Sequence, residues 1–521
     1  MIFRNTLLAS CLTLALLSCS SMSRAEDDVR HIPIDLKGPS SPRDYFTDLS
    51  VGSDYPGTLF REDSLGQLKT VRDELGFRYI RFHGIFHDVL GTYKEVDGKP
   101  VYDWTKIDAL YDRLLKIGIR PFVELGFTPN AMKTSDNRVF YWQGNTSHPD
   151  PQKWVGLVDA FVRHLEDRYG KNEVRSWYFE VWNEPNLGGF WEHADKNAYF
   201  DLYDRTARTI KAVDAKLRVG GPSTAGAAWV PEFIEHAHAS QTPLDFITTH
   251  TYGVDGGFLD EEGHGDTKLS PSKDAILGDI RRVRRQIAAS ALPDLPLYFT
   301  EWSTSYTPRD PVHDSYVSAP YILTKLKGSQ GLLQGMSYWT FSDLFEEPGP
   351  PTAPFQGGFG LMNPQGIRKP AYFAYKYLNE LGKTELKTDD AQSFVTRSGK
   401  AVQALVWDFE QPVQEKSNRP FYTHVLPTKD ATPVMLNLKG LKPGNYQVSL
   451  YRTGFKANDA YTTYLEWGSP KSLSTDQIDQ LQALTQDKPE TAVLSVGKSG
   501  VVEYRIPMRA NDIILVTIAP K

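Results

Sequence analysis

Cysteine is almost absent. The 521 residues hold two, Cys11 and Cys19, both within the first twenty positions. That segment reads as an export signal. Arg4 supplies the positive start, Leu7 to Leu17 is a short apolar run, and Ser23-Arg24-Ala25 has the small-x-small form of a cleavage site. A signal peptide of residues 1–25, once removed, leaves a chain without cysteine, which excludes disulfides, thiolate nucleophiles and cysteine-ligated metals. The expectation is a periplasmic or secreted protein. The stretch Leu16-Leu17-Ser18-Cys19 also resembles a bacterial lipobox, and the alternative is a lipoprotein anchored at Cys19. Long apolar runs are missing from the rest of the chain, so no membrane span is expected. An excess of one charge is missing too: 58 basic and 64 acidic residues give a net charge of −6, or −8 once Arg4 and Arg24 leave with the signal. A broad nucleic-acid-binding face is therefore not favoured. There is no dinucleotide fingerprint, no P-loop and no zinc signature, and neither a cofactor nor a metal is expected. Oligomeric state is left open.

What the chain does have is an ordinary globular composition, 40% hydrophobic and 23% charged, and many aromatics: 11 Trp, 26 Tyr and 26 Phe. From about residue 45 to 383, short apolar runs alternate with amphipathic helical stretches. The runs that read as strands are Leu49–Gly52, Tyr79–His83, Pro121–Leu125, Trp177–Trp182, Arg218–Gly220, Phe246–Thr249, Leu297–Thr300 and Gly335–Tyr338. Helical patterns at Leu65–Leu75, Ile107–Ile117 and Trp154–Tyr169 each end at a glycine, Gly76, Gly118 and Gly170, the residue that enters the left-handed conformation without cost. Eight such units make an α/β chain with a (β/α)8 TIM barrel at 45–383. Beyond it the pattern changes to short β-rich runs: Ala401–Trp407, Val434–Leu438, Tyr446–Tyr451, Val501–Ile506 and Ile513–Ile518. Residues 26–44 and 384–521 together read as a β-sandwich accessory domain, with Val29–Leu36 supplying one strand and Thr475–Thr485 an inserted helix.

Chemistry in a barrel of this kind sits where strands end. The second strand ends in Arg81-Phe82-His83-Gly84, the fourth in Trp182-Asn183-Glu184-Pro185, the sixth in Thr249-His250-Thr251-Tyr252, the seventh in Thr300-Glu301-Trp302, and the eighth in Tyr338-Trp339-Thr340-Phe341, with Asp343 and Glu346-Glu347 just after it. Glu184 and Glu301 stand on opposite sides of the mouth. Two carboxylates facing one bond are what glycoside hydrolysis needs: one protonates the leaving oxygen, the other attacks or activates water. An ion pair or a helix cap is the ordinary role of a single strand-end Glu, but two of them, each beside Trp, point to catalysis. His83 with His87-Asp88 lacks a third ligand for a metal site. Asn145-Thr146-Ser147 is a glycosylation sequon by pattern alone, and the run Arg281-Arg282 with Arg284-Arg285 reads as a solvated helix face. The loop Gly253–Pro271 either rims the pocket or moves freely.

Trp182-Asn183-Glu184-Pro185 with Thr300-Glu301-Trp302 resembles the clan of retaining (β/α)8 glycosidases. The fuller set resembles glycoside hydrolase family 39: Arg81-Phe82-His83-Gly84-Ile85-Phe86, Phe122 to Phe127, Phe179 to Asn186, Gly220-Gly221-Pro222, Thr249 to Tyr252, Thr300 to Tyr306 and Tyr338 to Asp343. The resemblance implies that Glu184 is the acid/base and Glu301 the nucleophile of a double displacement. It implies that Asn183 hydrogen-bonds the sugar 2-OH, and that His83, His250, Tyr252, Trp339 and the Glu346-Glu347 pair line the −1 sugar pocket, with Trp339 as the platform. The function implied is a retaining, exo-acting β-xylosidase that hydrolyses xylo-oligosaccharides from the non-reducing end. The alternatives are an α-L-arabinosidase of the same fold or a non-catalytic carbohydrate-binding protein. Burial and the charge of Glu301 are expected to raise the Glu184 pKa, and Arg81 is placed to hold Glu301 ionised.

Overall fold

The computed structural model describes residues 28–521; the expected signal segment, with Cys11 and Cys19, lies outside the described residues. Eight parallel strands close into a barrel: β1 (Ser50–Ser53), β2 (Tyr79–Phe82), β3 (Arg120–Leu125), β4 (Tyr178–Val181), β5 (Arg218–Thr224), β6 (Phe246–Tyr252), β7 (Leu297–Ser303) and β8 (Gly335–Tyr338). They pair in chain order, and β8 returns to β1 through Tyr338 opposite Val51. The runs expected as strands all fall on these eight. β5, β6 and β7 continue about three to four residues further than their apolar patterns, because their polar ends still hydrogen-bond inside the barrel. Gly76, Gly118 and Gly170 follow their helices with φ of 81°, 82° and 83°, as a helix stop requires.

Alternation along each strand explains the barrel interior. Residues two apart point the same way. At the strand starts Tyr79, Phe122, Tyr178, Phe246 and Tyr298, with Leu49, form an aromatic plug; Phe122 and Tyr178 stack at 4.7 Å. Two residues further along, the same inward positions carry Arg81, Glu124, Glu180, Thr248 and Thr300, all buried. The interior therefore changes from apolar floor to a charged layer within one pleat.

A three-stranded sheet packs on a seven-stranded one beside the barrel. The first contains Arg30–Asp35, paired parallel to Asp430–Lys439, which pairs in turn with Val501–Arg509. The second runs from Ser40–Pro42 through Thr384–Leu386, Ser393–Ser398, Ala401–Trp407, Ile513–Pro520 and Gly444–Thr453 to Glu490–Val496. Strand Ala401–Trp407 is apolar on both faces: Val402, Ala404 and Val406 enter the sandwich core, while Leu405 and Trp407 join the barrel's outer core. Trp407 Nε1 donates to Thr324 Oγ1 at 3.0 Å. The inserted helix spans Thr475–Leu484, and a second, Ala460–Glu466, precedes it without a matching sequence signal. No helix among the described residues is long and apolar enough to cross a membrane.

Candidate active site

Arg81 organises the charged layer. Wholly buried, its guanidinium donates to Glu180 Oε2 (2.5 Å), Glu301 Oε1 (2.8 Å), Asn183 Oδ1 (2.9 Å) and Ser223 Oγ (3.1 Å), and lies 3.0 Å from Glu124 Oε2. Burial opposes its charge, but three carboxylates around it outweigh that and raise its pKa further. A buried arginine so surrounded is a fixed positive charge that holds acids from three strands in place.

Glu301 receives two hydrogen bonds, from Arg81 on Oε1 and from the Tyr252 hydroxyl on Oε2 at 2.7 Å. Burial and the Glu301 charge push the Tyr252 phenol well above its ordinary pKa, so it stays a donor.

Glu184 sits differently. Just past β4 the chain turns through Trp182 and Glu184 at φ of 70° and 45°, and the Glu184 N–H donates to the Ser223 carbonyl at 2.8 Å. These left-handed residues turn the chain sharply at the end of β4. Among the described residues the side-chain hydrogen bond of Glu184 is at Oε1, 2.8 Å from His250 Nδ1. Burial lowers the His250 pKa to about 4, so the ring is neutral. The Thr300 hydroxyl donates to Glu180 (2.7 Å), and the Ser223 hydroxyl lies 3.3 Å from His250 Nε2. The tautomer consistent with this network carries its proton on Nδ1 and donates it to Glu184. Burial raises the Glu184 pKa to about 7, and the charge that adds to it is that of Glu124, while His83 and Arg81 pull the other way. Sequence reasoning assigned the added charge to Glu301.

The two carboxylates are close: an oxygen from each, with a His250 ring nitrogen, lie within 4.8 Å of one another. They are 8% and 5% exposed. These three side chains are the buried set that could hold a cation, but the Arg81 charge beside Glu301 and the hydrogen bonds already made within the set oppose one. Asp260, Glu262 and His264 form a second such group on an outlying loop, where backbone N–H groups and Arg419 already engage Asp260.

The remaining expected residues divide. His83 donates from Nδ1 to Glu124 Oε2 at 2.7 Å and sits 3.2 Å from Glu347 Oε1 by Nε2. Burial disfavours its charge, but these carboxylates raise its pKa well above the usual value. Asn183 leaves Nδ2 buried and without a partner among the described residues. Trp339 is 2% exposed and tilts against His83 at 4.8 Å. Its ring occupies the space above Gly52, where a Cβ would come within 2.3 Å of Cε3. Glu347 points inward, its pKa raised to about 7 by burial and the nearby Glu301 and Glu184 charges against the pull of His83. Glu346 does not join the cluster. Its carboxylate is 3.6 Å from Arg61 and its backbone N–H donates to Asp54 Oδ2 at 2.8 Å, at the start of a turn closed by the Gly349 N–H on the Glu346 carbonyl at 3.0 Å.

Asp343 belongs to the scaffold: Lys369, fully buried, binds it at 3.0 Å and Asp314 at 2.7 Å, tying the loop after β8 to the loop after β7. His87 is a satisfied structural ring, donating from Nε2 to the Trp142 carbonyl at 3.0 Å. Of the arginine cluster, Arg281 pairs with Asp274 and Arg282 with Asp279 on the surface, while Arg284 donates to the Leu332 and Leu295 carbonyls. Glu124, Glu180 and Asp54 were not singled out in the sequence; inward spacing of two along β3 and β4 is the signal that finds the first two.

Barrel and paired carboxyls together define a glycoside hydrolase of the (β/α)8 type. The family model of glycosyl hydrolases family 39 matches residues 31–502. A β-xylosidase of Geobacillus stearothermophilus is 35% identical over 497 residues, covering 92% of this chain and 94% of that one. Two solved structures are more similar: a family 39 enzyme from Xanthomonas axonopodis pv. citri (61% identity, TM-score 0.94, 96% and 99% of the two chains) and a monomeric β-xylosidase from Caulobacter crescentus (64%, 0.92, 94% and 99%). The chain belongs to glycosyl hydrolases family 39.

Proposed function

We propose that this enzyme is a retaining, exo-acting β-xylosidase that releases xylose from the non-reducing end of xylo-oligosaccharides. The observation that carries the reading is the asymmetric pair. Glu184 is half protonated near neutrality and meets one neutral donor, so a proton on Oε2 can face the leaving oxygen. Glu301, gripped by Arg81 and Tyr252, is oriented as a nucleophile within 4.8 Å. An oxygen-to-oxygen approach that close is compatible with the short carboxyl separation of retaining enzymes, about 5–5.5 Å against roughly 6.5–9.5 Å for inversion.

Glu301 attacks the anomeric carbon while Glu184 gives its proton to the departing sugar. The glycosyl-enzyme then cancels the Glu301 charge, and Glu184, now a base, activates water. Asn183 Nδ2 supplies a donor to the 2-hydroxyl, His83 and Glu347 bind the other hydroxyls, and Trp339 stacks on the ring. Exo action is supported by the burial of the pair and by the anchoring of the loop that carries Glu347, where the Tyr141 N–H donates to the Glu347 carbonyl at 2.8 Å and Arg309 to those of residues 348–350. Xylose as the sugar is supported by the names of the relatives at 35% and 64% identity.

Glu184→Ala is expected to slow hydrolysis of xylobiose by about 100-fold or more, an activated aryl xyloside far less, with rescue by azide. Equal losses on both substrates contradict the acid role. We also propose that residues 1–25 direct export. N-terminal sequencing of the exported protein should begin at Glu26, whereas a lipid-blocked Cys19 supports anchoring.

A further inference from the structure

Of the groups expected to line the sugar pocket, His83, Asn183, Trp339 and Glu347 come from the ends of β2, β4 and β8, and His250 and Tyr252 from the end of β6. The leaving group must depart on the side of the acid, and Glu184 is bonded toward the ends of β5 and β6, by its N–H to the Ser223 carbonyl and by Oε1 to His250 Nδ1. There β6 ends in Tyr252 and the chain folds into a hairpin, Val254–Leu259 with Gly265–Leu269, before helix Leu277–Ala288. A cavity of about 380 Å³ opens against Tyr252 between the hairpin base and that helix, with Asp255, Ser270, Asp279 and Arg282 in its walls. Beside Tyr252 stands Tyr306, half exposed, its ring edge-on to Tyr252 at 6.2 Å. Gly256 lets the hairpin lie against it, since a Cβ there would come within 2.5 Å of the Tyr306 hydroxyl.

The hairpin is held from outside the barrel. A segment of the sandwich chain, residues 414–422, reaches across to it. Asn418 Oδ1 accepts from the Leu269 N–H (3.0 Å) and Nδ2 donates to Asp310 (2.8 Å); Ser417 Oγ donates to the Leu259 carbonyl (3.0 Å). Arg419 donates by its backbone to Asp266 (2.9 Å) and by its side chain to Asp260 (3.0 Å).

We propose that Tyr306 and the cavity against Tyr252 bind the leaving-group portion of the substrate, a neutral pyranose chain, and that the sandwich segment positions this subsite. The C–H face of a pyranose stacks on an exposed phenol ring, and carboxylates such as Asp255 accept hydroxyl protons. The inference rests on the xylosidase reading.

The test compares xylotriose with β-xylosyl fluoride, whose leaving group is a single atom that reaches no subsite. Tyr306→Ala should lower the ratio of kcat/KM for xylotriose to that for the fluoride by about 3- to 10-fold, with Tyr306→Phe restoring most of it. Arg419→Ala, at a side chain one-third exposed, should move the same ratio the same way through KM. A ratio unmoved by Tyr306→Ala, or equal losses on both substrates, overturns the subsite while wild-type turnover of the fluoride keeps the xylosidase reading. A wild type inert to both substrates overturns both.

Discussion

Glu184 carries the sharpest consequence at the scale of single residues. Burial raises its carboxyl pKa to about 7, and in the proposed mechanism it must be protonated to act, so raising the pH removes the acid. kcat/KM for xylobiose should fall above an apparent pKa of about 7, and this limb should vanish in Glu184→Ala assayed with an activated aryl xyloside. The same raised value is a stability statement. Protonated Glu184 contributes fully below about 4.5, and the contribution is lost as the pH rises through about 7. Glu184→Gln should therefore raise Tm relative to wild type at pH 8 and change it little at pH 4.5, a comparison that calorimetry makes directly. The residues legible in the sequence were those whose position alone identifies them: Asn183 and Glu184 after one apolar strand, Glu301 after another. Glu124 and Glu180 were not, because an acid in mid-strand has no local mark; only closure of the barrel puts both beside Arg81. Glu346 and Glu347 were indistinguishable as a dipeptide, since the loop backbone decides which one faces inward.

Among the elements, β1 does most to shape the pocket through what it lacks. Gly52 leaves room for Trp339, whose ring the end of β8 places beside His83, where the proposed reading puts the wall of the sugar site. Gly52→Ala should drive the indole out of place, at a cost of about 1–3 kcal/mol in stability, and raise KM for aryl xyloside while the far-ultraviolet circular dichroism stays that of wild type. A KM like that of wild type would deny Trp339 its role as platform. The strands themselves were readable where apolar residues run unbroken, as in a sheet buried on both faces. Their polar ends in β5, β6 and β7 were not, since Ser223, His250 and Glu301 look like loop residues until the barrel hides them. Glu490–Val496 was missed for the opposite reason: it is an edge strand, largely exposed, with no buried stripe to announce it.

For the whole molecule, the account makes the sandwich part of the enzyme's frame. Strand Ala401–Trp407 of its large sheet is buried on both faces, and the strand Arg30–Asp35 contributes to its other layer with Ile32 and Ile34 fully enclosed. Ile34→Ala should lower unfolding stability by about 2–5 kcal/mol in denaturant while leaving kcat on an aryl xyloside within twofold of wild type. Loss of activity in the folded variant would mean that the strand shapes the site. The alternation of Ala401–Trp407 explains why barrel and sandwich were each legible and their joint was not: a strand apolar on both faces announces burial without naming what covers it.

The central claim is that Glu301 forms a covalent bond to the sugar and Glu184 serves the two steps in turn. A proton NMR time course of aryl β-xyloside hydrolysis tests it directly. The anomeric signal of β-xylose should appear first, with α-xylose rising only as mutarotation proceeds. Initial release of α-xylose would mean a single inverting displacement, and the roles given to the two glutamates would be wrong.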